Sequence, residues 1–201
     1  MQADDNIADQ KKMLRKQASA TRKIAAGTSP NASELLATSE IYGQIMQPNV
    51  PRLVAGYWPI RTEIDPVPLM QALKRNGSGL CLPSTPQEGL PLRFHSWSGD
   101  PDELVDGPYG TRQPDPMLPE VLPDLVLAPL LAFDKACWRL GYGGGFYDRT
   151  LAAFDRLNHR AKIIGLAYAQ QMVDSVPTGI YDRQLNGIMT EQGLFLPDKG
   201  L

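Results

Sequence analysis

The chain has 201 residues, 42% hydrophobic and 21% charged, with a formal net charge of −2. That length buries a real core as one large domain or two small ones, and the near-neutral balance gives no general case for a nucleic-acid or membrane partner. The two cysteines lie outside any CxxC or Cys/His cluster, which argues against a zinc site and gives no positive support to a disulfide.

No signal-peptide core opens the sequence, and no run of about 18 apolar residues is present to span a bilayer, so a cytoplasmic protein is expected. Residues 4–26 read as an amphipathic helix, capped by Asp4 or Asp5 and ended by Gly27. Ile7, Leu14, Ala18 and Ala25 share one face, while Lys11, Lys12, Arg15, Lys16, Arg22 and Lys23 occupy much of the rest. A second helix is expected over 33–46, opened by the capping-box-like "NASE". "RLVAGYWPI" (52–60) reads as a buried strand, "PLMQALKRNG" as a Gly-ended helix, and "GLCLPS" and "LRFHSW" as further strands.

Residues 99–123 are rich in Pro, Gly and Asp and read as a long connection. "PDLVLAPLLAFD" (123–134) is the most apolar segment and the candidate central strand. A helix near 146–157 and a buried strand over 161–169 follow it. Strand, loop, helix, strand is a βαβ unit, so the expected fold is α/β with a mostly parallel central sheet flanked by helices. Nothing marks a second domain, and 1–201 is expected to form one: helices over 4–46, then an α/β core from about 52.

The sequence "RLGYGGGFYDR" (139–149) falls between that strand and helix, where α/β sheets gather ligands. Gly143, Gly144 and Gly145 permit positive φ and close backbone approach, and their N–H groups with the helix start can nest an anion. It is no Walker A loop, because no Lys-Ser or Lys-Thr follows. It is no GxGxxG fingerprint either, because Phe146 stands at the last glycine. A glycine triplet among Arg139, Tyr147 and Asp148 favours a ligand role over a simple turn. Arg139 could neutralise phosphate and Asp148 could hold Mg²⁺ directly or through water.

Other candidates carry plainer readings beside the functional ones. Lys11 and Arg15 share a helix face, as two phosphate contacts would, but composition favours a solvated basic face. Glu63 and Asp65 follow a strand end, where a carboxylate pair could orient a polar ligand, do acid–base work or cap a turn. Asp182 in "IYDRQLNG" is a second metal ligand or a turn residue. His95 and His159 match no motif and read as structural or surface residues.

Together, "KKMLRK", "YWPIRTEID", "PDLVLAPLLAFDKACWRLGYGGGFYDR" and "YDRQLNGIMTE" resemble, in order, the motifs of the 5-formyltetrahydrofolate cyclo-ligase family, across nearly the whole chain. The resemblance implies a fold related to sugar-phosphate isomerases and CoA transferases. It also implies a reaction of 5-formyltetrahydrofolate and ATP, with Mg²⁺, giving 5,10-methenyltetrahydrofolate, ADP and phosphate. By the same resemblance, Lys11, Arg15, Arg139, Gly141, Gly143, Gly144, Gly145 and Tyr147 take ATP, while Trp58 and Glu63 take folate, with Tyr142 and Phe146 beside them. Asp148 and Asp182 take the metal. No protein nucleophile is expected; Arg139 and the three consecutive glycines would stabilise charge on the moving phosphoryl group.

The chain departs from the family pattern at three places. Tyr142 and Gly144 stand where some members carry a basic residue, Phe146 replaces a common Tyr, and Trp138 is bulky where a smaller or polar residue is usual. A non-catalytic folate or phosphometabolite-binding module on the same fold is the alternative. A monomer is expected, and RNA binding through the first helix lacks an aromatic platform.

Overall fold

The computed structural model describes residues 2–46 and 49–197, and of residues 2–5 and 39 the backbone alone. Helix α1 spans Gln2–Thr28, starting two residues before the expected bound. The cap expected of Asp4 or Asp5 falls on side chains outside the described ones. The expected second helix is broken into α2 (Ala32–Leu36) and α3 (Ser39–Tyr42). Asn31 makes no capping bond, and Ser33 Oγ instead accepts the Asp65 backbone N–H at 3.0 Å. The "NASE" segment thus ties α2 to a distant loop instead of closing a capping box.

The strands and remaining helices follow as β1 (Leu53–Ala55), α4 (Val67–Arg75), β2 (Gly79–Ser84) and β3 (Arg93–Trp97). Two-residue strands come next: β4 (Val105–Asp106), β5 (Arg112–Gln113) and β6 (Glu120–Val121). Then come β7 (Leu125–Pro129), β8 (Ala132–Phe133), β9 (Arg139–Leu140), α5 (Phe146–Arg156) and β10 (Lys162–Leu166). The last two are β11 (Gly187–Thr190) and β12 (Gly193–Phe195).

Eight strands form one sheet in the order β12-β11-β10-β7-β1-β2-β3-β6. The pairs from β11 to β2 are parallel, and the outer β12, β3 and β6 pair antiparallel. The expected βαβ unit is β7, α5 and β10, with β7 and β10 paired in parallel. A β8–β9 hairpin lies between β7 and α5, so the glycine loop follows the hairpin's second strand and not the central strand itself.

β7 is hydrophobic at successive positions because both faces of the sheet are covered. Leu125 and Leu127 join a core with Ala25 of α1, Leu36 of α2 and Leu69 and Leu73 of α4. Val126 and Ala128 point into the other core, with Phe154 of α5 and Ile163. The strand expected over 52–60 ends at Ala55, and the chain then leaves the sheet toward the cleft described below. A Cβ on Gly56 would lie 2.1 Å from the Met70 sulfur, so α4 packs here against bare backbone.

The 99–123 connection contains the small β4–β5 ribbon and edge strand β6. Cys81 and Cys137 are buried thiols and not a disulfide. Both histidines are structural ties, as expected: His95 bonds Ser84 and the Leu118 carbonyl, and His159 bonds the Pro123 carbonyl. No described helix is long and apolar enough to cross a membrane.

A cleft at the carboxyl ends of the parallel strands

A cleft of about 580 Å³ opens where β1, β2 and β7 end, bordered by Tyr57, Trp58, Pro83, Thr85 and Pro129. All but one of the ligand or metal candidates singled out above line it, from Lys11 and Arg15 through Trp58, Glu63 and the 139–148 segment to Asp182. Asp65 does not line it. Its Oδ1 accepts the Val67 N–H at 2.9 Å, which is the turn-capping reading, and Glu63 alone of that pair faces the cleft.

Helix α1 brings its cations to the cleft because the inward stripe is not purely apolar. Arg22 is 2% exposed and lies with Ala18 and Ala25 on the buried face, while Lys11 and Arg15 are half-buried on the same stripe. The solvated-face reading is therefore wrong for Lys11 and Arg15, while Lys12, Lys16 and Lys23 are exposed. Lys11 pairs with Asp182, Nζ to Oδ1 2.6 Å. Arg15 Nε donates to the Gly141 carbonyl at 3.0 Å, pinning the first peptide of the glycine loop.

The loop needs its glycines for two separate reasons. Gly143 and Gly145 have φ of 106° and 65°, the region that costs a side chain most. A Cβ on Gly144 would come within 2.9 Å of the Phe146 ring. Gly145 is the N-cap of α5 and offers no side chain there, so the helix's first N–H groups have no side-chain cap from it. Arg149 folds back over the loop, donating to the Gly144 carbonyl at 2.6 Å and lying 5.2 Å from the Phe146 ring centre.

Arg139, only 9% exposed, donates from Nη2 to Asp148 Oδ1 at 2.8 Å and from Nη1 to the Arg183 carbonyl at 3.0 Å. Its guanidinium lies 5.9 Å from the Tyr147 ring centre. Asp148 and Asp182 thus both stand against cations. No group of three or more His, Cys, Asp or Glu side chains suited to a metal occurs among the described residues. Two carboxylates nevertheless suit Mg²⁺, which binds through one or two protein oxygens and takes the rest from water and phosphate.

Glu63 carries a different chemistry. Its Oε1 accepts the Tyr142 hydroxyl at 2.6 Å, its Oε2 accepts the Ile60 N–H at 2.9 Å, and Arg22 Nη1 stands 3.7 Å away. Burial pushes its carboxyl pKa up, while the Tyr142 and Ile60 hydrogen bonds and the charges of Arg22 and Arg61 pull it back in part. Burial also raises the phenols of Tyr142, Tyr147 and Tyr57, with Glu63 adding to each, so all three stay neutral donors. Trp58 stands edge-on to Trp97, centroids 6.4 Å apart, with the Arg112 guanidinium 5.4 Å from its ring.

The sequence model of the 5-formyltetrahydrofolate cyclo-ligase family matches residues 7–191. The chain belongs to this family. It is 32% identical over 145 residues to the 5-formyltetrahydrofolate cyclo-ligase of Mycolicibacterium smegmatis, covering 69% of this chain and 73% of that one. The Escherichia coli K12 enzyme of the same name is 33% identical over 145 residues, covering 68% and 76%.

Among solved structures, the 5,10-methenyltetrahydrofolate synthetase of Aquifex aeolicus superposes with a TM-score of 0.71 at 24% identity, over 95% of this chain and 94% of that one. The Mycoplasma pneumoniae synthetase gives 0.68 at 22%, over 90% and 98%. These two likenesses carry the α/β fold with its large, mainly parallel sheet. Tyr57, Arg149 and Tyr109, the last from the 99–123 connection, line the cleft without having been singled out from the sequence, and Arg22 stands behind the lining against Tyr142 and Glu63. The only local signal was the helical spacing of Arg22 from Ala18 and Ala25.

Proposed function

We propose that this chain joins N10 of 5-formyltetrahydrofolate to its formyl carbon, consuming ATP and releasing 5,10-methenyltetrahydrofolate, ADP and phosphate. The observation that carries the reading is the meeting of two chemistries in one cleft. Lys11, Arg15, Arg139 and the bare glycine backbone suit phosphates, while Glu63 among Trp58, Tyr57 and Phe146 suits a flat heterocycle with polar donors.

The formyl oxygen is a poor leaving group until it carries phosphate. Transfer of the γ-phosphoryl group to it releases ADP and leaves an N5-iminium phosphate. N10 then attacks the formyl carbon, its proton is lost to solvent, and inorganic phosphate departs with the C–O electron pair. Every step moves negative charge on phosphoryl oxygens, so stabilisation by Arg139 and the N–H groups of residues 143–145 supplies the catalysis and no side-chain nucleophile is needed. Arg15 fixes the loop by its carbonyl, and Glu63 orients the heterocycle through hydrogen bonds. Asp148 and Asp182 would hold Mg²⁺, which offsets phosphate charge when bound. The same carboxylates pair with Arg139 and Lys11.

The test is direct. Purified protein, 5-formyltetrahydrofolate and Mg²⁺ are followed for the methenyl chromophore with and without ATP. A rise only with ATP supports the ligase. Binding of folate or ATP without a rise supports a binding module on the same fold.

A further inference from the structure

Arg22 is the most demanding residue of α1 to explain. Taking a guanidinium out of water costs several kcal/mol unless it is paired and hydrogen-bonded, and an apolar side chain would fill a buried helix stripe without that cost. Ala18 and Ala25 do so one turn to either side. Arg22 instead donates from Nε to Thr62 Oγ1 at 3.2 Å and from Nη1 to the Tyr142 hydroxyl, and its guanidinium lies 5.2 Å from the Tyr142 ring centre.

A phenol has one proton to give. Tyr142 gives it to Glu63 Oε1, while its oxygen accepts from Arg22, so the direction of the chain is Arg22 to Tyr142 to Glu63. The second carboxylate oxygen is held by the Ile60 N–H. Two donors fix both oxygens in place and leave roughly two of the four lone-pair positions for a bound molecule.

We infer that Tyr142 and Arg22 are positioning residues for the Glu63 carboxylate, holding it aimed so that it accepts two hydrogen bonds from the donor edge of the heterocyclic substrate. This rests on the functional reading above and adds to it. A residue of the phosphate-side loop, whose neighbouring carbonyl is pinned by Arg15, sets the geometry of the folate-side acid. Tyr142 stands where some members of the family carry a basic residue.

The groups facing Glu63 are Arg22 from α1, Arg61 from its own loop, Tyr57 after β1, Tyr142 from the glycine loop and Tyr147 from α5. Of these, Tyr142 gives the largest effect opposing burial. Its removal raises the Glu63 pKa further, so the carboxylate is lost at a higher pH than in the wild type.

Tyr142→Phe keeps the ring and deletes the donor, and because Tyr142 is 40% exposed the change opens no cavity, while Arg22 keeps Thr62 and Glu63 beside it. Equilibrium binding of 5-formyltetrahydrofolate is measured across pH for wild type, Tyr142→Phe, Glu63→Gln and the double variant, with a non-hydrolysable ATP analogue as second ligand. Tyr142→Phe is expected to weaken folate binding about tenfold, the worth of a hydrogen bond to a charged group, and to move its acid limb toward neutrality. ATP-analogue affinity should stay within about twofold, and Tyr142→Phe should add nothing in the Glu63→Gln background.

A folate titration and acid limb unchanged in Tyr142→Phe overturn the inference alone. Equal loss of both ligands also overturns it and assigns Tyr142 to loop shape. Absence of folate binding in wild type overturns the functional reading and this inference with it.

Discussion

Lys11 and Asp182 lie 171 positions apart in sequence and meet at the cleft, Nζ 2.6 Å from Oδ1. The pair fastens the middle of α1 to the loop before β11, and Asp182 also accepts the Gly179 N–H, which shapes that loop. The two side chains are 17% and 21% exposed, so water screens the pair only in part.

Lys11→Ala removes a cation proposed for ATP phosphate. The apparent KM for ATP should rise about tenfold, the loss of a charge-assisted hydrogen bond, with stability down by about 1 kcal/mol at most. Steady-state kinetics with ATP varied gives the answer. An unaltered ATP dependence would leave Lys11 as a structural partner of Asp182.

Glu63→Ala deletes the acid that receives Tyr142 and the Ile60 N–H. Folate affinity should fall by about ten- to a hundredfold, since the substrate's donors lose a charged acceptor in a buried place, while ATP affinity holds. In wild type, the net upward shift of the Glu63 pKa has a definite sign. The acceptor is ionised above that pKa, so folate binding should weaken as pH falls through it, starting at higher pH than for an ordinary carboxylate. Titrations of each ligand across pH check both points, and an equal loss of the two ligands contradicts the role.

Asp148→Asn keeps the shape but discharges the partner of Arg139. If Asp148 holds Mg²⁺, the activity-versus-Mg²⁺ curve should shift to higher metal concentration. A superimposable curve with reduced maximal rate would mean that Asp148 serves only to place Arg139.

Gly145→Ala and Gly141→Ala separate backbone strain from mere composition. Gly145 has φ 65°, and a Cβ there would lie 2.6 Å from Arg149 Nη1, so the change should cost about 1–2 kcal/mol and displace the start of α5. Gly141 has open space around its Cβ position, so stability should change by less than about 0.5 kcal/mol. Denaturant midpoints compare the two, and equal midpoints would show that the positive φ at Gly145 is not strained by a side chain.

The alternation of apolar strand and helix over 123–169 was readable because each element's burial pattern is local: β7 is buried on both faces, and α5 buries one. The shortening of the 52–60 run was not readable. "YWPI" is as apolar as a strand, yet it lines a cleft, and apolarity does not distinguish a core from a binding wall. The split of the second helix turned on Ser33, whose hydroxyl is occupied by Asp65 from another loop.

By itself, the sequence determined the α/β class, the family and the glycine loop, because periodicity, motif order and the absence of side chains are properties of neighbouring residues. The tertiary structure alone decided which basic residues of α1 serve the cleft, why Glu63 and Asp65 part company, and what Tyr142 does. Each of those depends on a partner remote in sequence. A guanidinium that looks solvated on an isolated helix becomes a buried cation only when the fold brings Tyr142 and Glu63 to it.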